Sequence, residues 1–167
     1  MNFARREGFY GGELSGIKLY REDNPRERFL APDELRRLIN ACPWWLRPAV
    51  SFAALTGMRA GEIFSLRWED VNPEKGFVSI RRPKSGKRER IPIHPLAVSI
   101  LVEQRRKFPE SPYVFPNSKG KAYYLPCGYR GAFRTAVKRA GLDDVRFHDL
   151  RHTFASYLVM SEQISMR

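Results

Sequence analysis

Cysteine is nearly missing: Cys42 and Cys127 are the only two in 167 residues, too few for a disulfide framework. Long apolar runs are missing as well, and nothing approaches the roughly 20 residues that a membrane-spanning helix requires. The opening stretch, MNFARREGFYGGELSG, is basic but lacks the apolar core of a secretory signal. These absences point to an intracellular chain. Acidic residues are in short supply, 18 Asp plus Glu against 30 Lys plus Arg, and they form no cluster of the kind that holds catalytic metal ions. That argues against a metal-dependent nuclease. Internal repeats and low-complexity tracts are absent too, which excludes a solenoid or a disordered tail as the main feature.

What is present is positive charge. The net charge is +12, carried by 22 Arg and 8 Lys. Such a surplus calls for a polyanionic partner, and arginine's planar fork of donors is suited to gripping phosphate at two points. Double-stranded DNA is the partner first expected, with a cytoplasmic, nucleoid-associated location. At 43% hydrophobic and 13% aromatic, the chain can bury a real core.

Residues 1–28 are polar and glycine-containing and read as a leader or linker, so order is expected from Phe29 onward. Pro32, Asp33 and Glu34 suit a helix N-terminus, and Leu35, Leu38 and Ile39 then form an apolar face. A buried helix is expected from about Trp44 to Leu55, broken at Thr56-Gly57, with a short helix following from Ala60 to Arg67. Residues 77–81 and 90–93 read as the two strands of a hairpin whose basic tip holds Lys84, Ser85, Gly86 and Lys87. Helical patterns return from Leu96 to Lys107, from Gly128 to Ala140, and from near His148. The expected fold class is mostly α with a small antiparallel hairpin.

Three constellations carry chemistry. His148, Arg151 and His152 stand at i, i+3 and i+4, which puts two imidazoles and a guanidinium on one helical face, with Leu150, Phe154 and Leu158 on the other. The His148/His152 spacing also occurs in zinc sites, but Asp149 replaces the usual glutamate and no third ligand has a convincing spacing. Arg59 follows the Gly57 break at the start of a helix, where free N–H groups favour an oxyanion; the plainer alternative is an ion pair with Glu62 three residues on. Arg130, Arg134 and Lys138 form a basic stripe at i, i+4 and i+8, the spacing of a helix laid against DNA or of a solvated face.

Taken together and in order, these segments resemble the tyrosine site-specific recombinases, the group that includes phage integrases. Ala54-Leu-Thr-Gly-Met-Arg-Ala-Gly-Glu62, with Leu66-Arg-Trp-Glu-Asp-Val71 after it, is similar to the family's first arginine box. Pro83-Lys-Ser-Gly-Lys-Arg-Glu-Arg-Ile-Pro92 resembles its lysine-bearing hairpin, and Phe147-His-Asp-Leu-Arg-His-Thr-Phe-Ala-Ser156 its HxxR box. The resemblance covers about residues 29 to 160, and three motifs in order are far more specific than any one of them.

The resemblance implies strand cleavage by transesterification through a 3′-phosphotyrosyl intermediate, with no metal or nucleotide cofactor. Arg59 and Arg151 would hold the non-bridging oxygens of the scissile phosphate, because the pentacoordinate transition state carries more negative charge than the diester. His148 would relay the nucleophile's proton or bond the phosphate. Lys84 would protonate the departing 5′ oxygen, with Lys87 an alternative acid or a DNA contact. The full-length protein would act as a homo-tetramer on paired DNA sites. One departure is large: the family's nucleophilic tyrosine lies well beyond HxxR, whereas only 16 residues follow Arg151 and Tyr157 among them lies at a core-facing position. Residues 29–167 are therefore expected to be a partial catalytic domain that binds DNA without cleaving it, the domain preceding it being represented only by residues 1–28. A non-catalytic DNA-binding module and a type IB topoisomerase are the rival readings.

Overall fold

A computed structural model describes residues 28–81, 88–121 and 128–165. Lys84 and Lys87, together with residues 1–27, Tyr123 and Tyr124, lie outside the described residues. The described elements are helices α1 (Pro32–Ala41), α2 (Arg47–Thr56) and α3 (Ala60–Phe64), a 3₁₀ turn (Trp68–Asp70), strands β1 (Val71–Asn72), β2 (Phe77–Arg81) and β3 (Arg88–Pro92), and helices α4 (Pro95–Lys107), α5 (Arg130–Arg139) and α6 (Asp149–Ser165). The mostly helical class with a small antiparallel sheet is thus observed.

Helix α1 opens as its sequence requires, with proline in the first turn and the Glu34 carboxylate reaching back to accept from the Ala31 N–H at 2.9 Å. Helix α2 starts three residues later than expected. Leu46 donates instead to the Pro43 carbonyl in a turn, and Pro48, which has no N–H to give, is confined to the helix's first turn. Nearly all of α2 is buried, with Ala49, Val50 and Phe52 at 0% exposure, so it is the central element on which α1, α3, α4 and α6 pack, while α5 packs on α1.

The short helix α3 ends at Phe64 and does not run on to Arg67. Ser65 folds its hydroxyl back onto the Gly61 carbonyl at 2.6 Å, and the chain then extends to pair with residues 112–114. Arg67 bridges Tyr113, Trp68 donates to the Pro112 carbonyl, and Val114 donates to the Leu66 carbonyl. The sheet also holds a strand beyond the expected hairpin: β1 pairs antiparallel with β2, giving the order β1-β2-β3. The hairpin register runs from Phe77 opposite Pro92 to Arg81 opposite Arg88, so β3 begins two residues earlier than expected.

Helix α5 presents Phe133, Ala136 and Val137 to the core and leaves Arg130, Arg134 and Lys138 exposed, the division its periodicity predicts. Helix α6 departs from expectation toward its end. Leu150 is fully buried and Phe154 half-buried, but Leu158 is 50% exposed, because α6 runs past the core after Tyr157.

Candidate active site

Gly57 is the pivot of the site. It closes α2 with φ +63°, the left-handed conformation that glycine adopts at no steric cost, and its N–H caps the Ala53 carbonyl. A Cβ built at this position would lie 2.5 Å from Cδ1 of Phe154, so the bare backbone lets α6 press directly against the end of α2. At that contact Arg151 Nη1 donates to the Gly57 carbonyl oxygen at 2.6 Å. Residues 94 apart in sequence are thereby joined, and Arg151 is brought beside the segment that carries Arg59.

Glu62 in turn positions Arg59. One carboxylate oxygen accepts from the Arg59 backbone N–H at 2.7 Å and the other from Arg59 Nη1 at 3.1 Å. The ion pair foreseen as the plainer reading therefore exists. It also anchors the arginine without hiding it, since the Arg59 side chain stays 52% exposed.

His148 stands immediately before α6, with its ring edge-on to that of His152 at 4.9 Å between centroids. Partial burial lowers its pKa below the ordinary histidine value. The charges of His152, Arg151 and Arg59 push the same way, against an opposing pull from Asp149. Arg59, His148 and Arg151 thus share one electrostatic neighbourhood, which favours the neutral, proton-accepting form of the imidazole. Asp149 is only 2% exposed, and its carboxylate accepts from the Arg146 N–H at 2.8 Å, fixing the entry to α6.

Four aromatic rings unite the elements that bear these residues. Phe64 of α3 stacks on Tyr129 at 4.4 Å between centroids, and Phe147 lies within 5.6 Å of Phe64, Tyr129 and Phe133 alike. The helix following Arg59, the start of α5 and the residue before His148 therefore meet in one cluster. A pocket of about 390 Å³ opens beside it, lined in part by Arg130, Arg134, Arg146 and His148. Lys138, the third member of the stripe, is exposed one turn farther along α5 and does not line this pocket.

Tyr157 is committed elsewhere. Its hydroxyl donates to the Leu30 carbonyl at 2.8 Å, while the Leu30 N–H donates to Thr153 Oγ1 at 2.9 Å. Sequence alone shows neither this clasp nor the Gly57 carbonyl as an acceptor. The polar Thr153 and Tyr157, four apart and hence on one side of α6, are the available signal.

Comparison with known proteins identifies the family. The model of the phage integrase family matches residues 28–165. The chain belongs to that family. Among its relatives, the integrase of Salmonella phage P22 is 33% identical over 159 residues, covering 87% of this chain and 40% of that protein. The tyrosine recombinase XerA of Pyrococcus furiosus is 35% identical over 136 residues, covering 78% of this chain and 47% of that protein. The chain thus spans less than half the length of these two family members. Among solved structures, XerA recombinase superposes with a TM-score of 0.67 at 28% identity, over 78% of this chain and 50% of the other. A lambda integrase dimer bound to a core site shares the fold, with a TM-score of 0.71 at 23% identity over 92% of this chain and 60% of the other.

Proposed function

We propose that the protein breaks and rejoins duplex DNA at specific sites by transesterification, through a 3′-phosphotyrosyl intermediate. The observation that carries this reading is the Arg151 bond to the Gly57 carbonyl, which sets the HxxR box against the first arginine box. Arg59 and Arg151 are the ligands of the scissile phosphate, where two guanidiniums offset the charge that develops in the transition state. His148, its neutral form favoured, takes or relays the nucleophile's proton. Lys84 is the acid for the 5′ leaving group, and Lys87 a neighbouring DNA contact. Family membership supports these roles, which fall on the family's motif positions. The attacking tyrosine is not Tyr157, whose hydroxyl is held by Leu30. Residues 29–167 are on this reading part of the catalytic domain, and 1–28 the link to a preceding one.

The lambda integrase structures include a tetramer on a Holliday junction, which supports a homo-tetramer on paired DNA sites for the parent protein as well. Acting on chromosomal DNA would place it with the nucleoid in the cytoplasm. No helix among the described residues is long and apolar enough to cross a membrane. A non-catalytic DNA-binding module is the weaker reading, because binding alone has no use for Arg59, His148 and Arg151 in one neighbourhood.

The test is a covalent protein–DNA adduct that survives denaturation, formed by a chain that includes a family nucleophile downstream of α6. Arg59→Ala and Arg151→Ala should each slow adduct formation by roughly 10² to 10³, the effect of losing one charge-stabilising donor. Adduct formation at Tyr157, or undiminished adduct formation by Arg151→Ala, would refute the assignment.

A further inference from the structure

Several arginines elsewhere on the surface face a carboxylate partner. Arg36 pairs with Asp33, Arg67 with Glu69 and Arg106 with Glu103. Around the pocket beside His148, Arg130, Arg134 and Arg146 are all exposed, and none forms a salt bridge to a carboxylate among the described residues. Three permanent positive charges therefore surround one concavity, and the nearest carboxylate described, that of the buried Asp149, is bonded to the Arg146 backbone N–H.

The pocket is also rigid. Phe133 and Phe147, which line its floor, are 4% and 8% exposed and pack with ring centroids 5.2 Å apart. The Arg146 backbone is pinned to the buried Asp149 carboxylate, so the residue is fixed two positions before His148. An apolar floor beneath the guanidiniums lowers the local dielectric and strengthens their pull on an anion. The rim arginines can only donate hydrogen bonds, which fits phosphate oxygens, acceptors without donors, better than the mixed edges of most bases.

We propose that Arg146, together with Arg130 and Arg134, forms a second phosphate-binding site that holds the DNA backbone next to the scissile phosphate. The inference rests on the reading of Arg59 and Arg151 as ligands of the scissile phosphate, and it divides the basic stripe of α5. Arg130 and Arg134 work with Arg146 at this pocket, whereas Lys138 lies outside it. Two adjacent phosphates gripped at once fix both the position and the direction of the strand, so that one register is presented to the attacking group.

Duplex binding by the 167-residue chain, measured across a series of salt concentrations, tests the proposal. Arg146→Ala should weaken binding roughly tenfold at low salt and flatten the log-log salt dependence by about 0.9, one phosphate contact. Arg139→Ala removes an equal charge from α5 outside the pocket and should change neither to that extent. Arg146→Lys retains the charge without the fork and should restore the slope but only part of the affinity. Replacing single phosphates by neutral methylphosphonates should cost the wild type affinity at one backbone position and leave Arg146→Ala indifferent there. Equal losses from Arg146→Ala and Arg139→Ala, or additive losses from Arg146→Ala and every methylphosphonate, would overturn the site. Failure of the parent protein to form an adduct, with the Arg146 effects intact, would instead remove the recombination reading and leave a phosphate site standing.

Discussion

Replacing Gly57 by alanine tests the junction between the two arginine boxes most directly, because one methyl group meets two separate obstacles. The backbone at φ +63° is left-handed, and an L-residue there costs about 1–2 kcal/mol. The new Cβ would also lie 2.5 Å from the Phe154 ring, roughly 1 Å inside ordinary contact, so the ring or the whole of α6 must give way. Overpacking of that kind costs about 1–3 kcal/mol. The sum, about 2–5 kcal/mol, should appear as a lowered denaturant midpoint with little change in slope. A double-mutant cycle separates the parts. Phe154→Ala removes the obstructing ring, so combining it with Gly57→Ala should leave only the backbone cost, and the two changes should couple by more than about 1 kcal/mol. Because Arg151 bonds the carbonyl of this same residue at 2.6 Å, any retreat of α6 should also weaken duplex binding. A loss below about 1 kcal/mol, or strict additivity in the cycle, would refute the claim that bare backbone at Gly57 is what lets the boxes meet.

Three further outcomes follow from the site. By NMR titration, His148 should ionise below the ordinary histidine range, and Arg59→Ala should move it upward by removing a cation; a downward move would contradict the assigned neighbourhood. Because its folded-state pKa is depressed, the native state binds fewer protons than the unfolded chain, so His148's contribution to stability is complete above the unfolded value and is lost as pH falls below it. Tyr157→Phe should cost about 0.5–1.5 kcal/mol through the lost bond to Leu30 and leave the parent's adduct yield unchanged, a combination measurable by unfolding and by denaturing gel. Phe147→Ala should cost about 3–5 kcal/mol in denaturant unfolding, since the ring packs against three others; a loss under about 1 kcal/mol would mean that the cluster does not hold these elements together.

Sequence periodicity revealed elements whose faces are set locally. The alternation of Phe133 and Ala136 with Arg130, Arg134 and Lys138 is complete within a few turns, so α5 could be read before any tertiary contact was known. Strand β1 could not, being two residues long and defined only by its partner β2. The early end of α3 was hidden for the same reason, because it depends on pairing with residues 112–114 far along the chain. Among the candidate site residues, motif order pointed to Arg59, His148 and Arg151 and left their means of assembly unseen. Phe64, Tyr129, Phe133 and Phe147 each look like ordinary core residues within any short window, and only the fold shows that they meet. Arg146 was overlooked because it belongs to no helical stripe; its relation to Arg130 and Arg134 exists only across the pocket.

The clasp at Leu30 has a mechanical consequence. Both polar groups of one backbone unit are fastened to side chains one turn apart on α6, the N–H to Thr153 and the carbonyl to Tyr157. A segment tied at two points to a helix resists sliding along it as well as lifting away. Any pull or twist arriving through residues 28–30 is therefore delivered to α6 within two turns of Arg151, making that short segment a tie-rod to the guanidinium proposed to meet the phosphate.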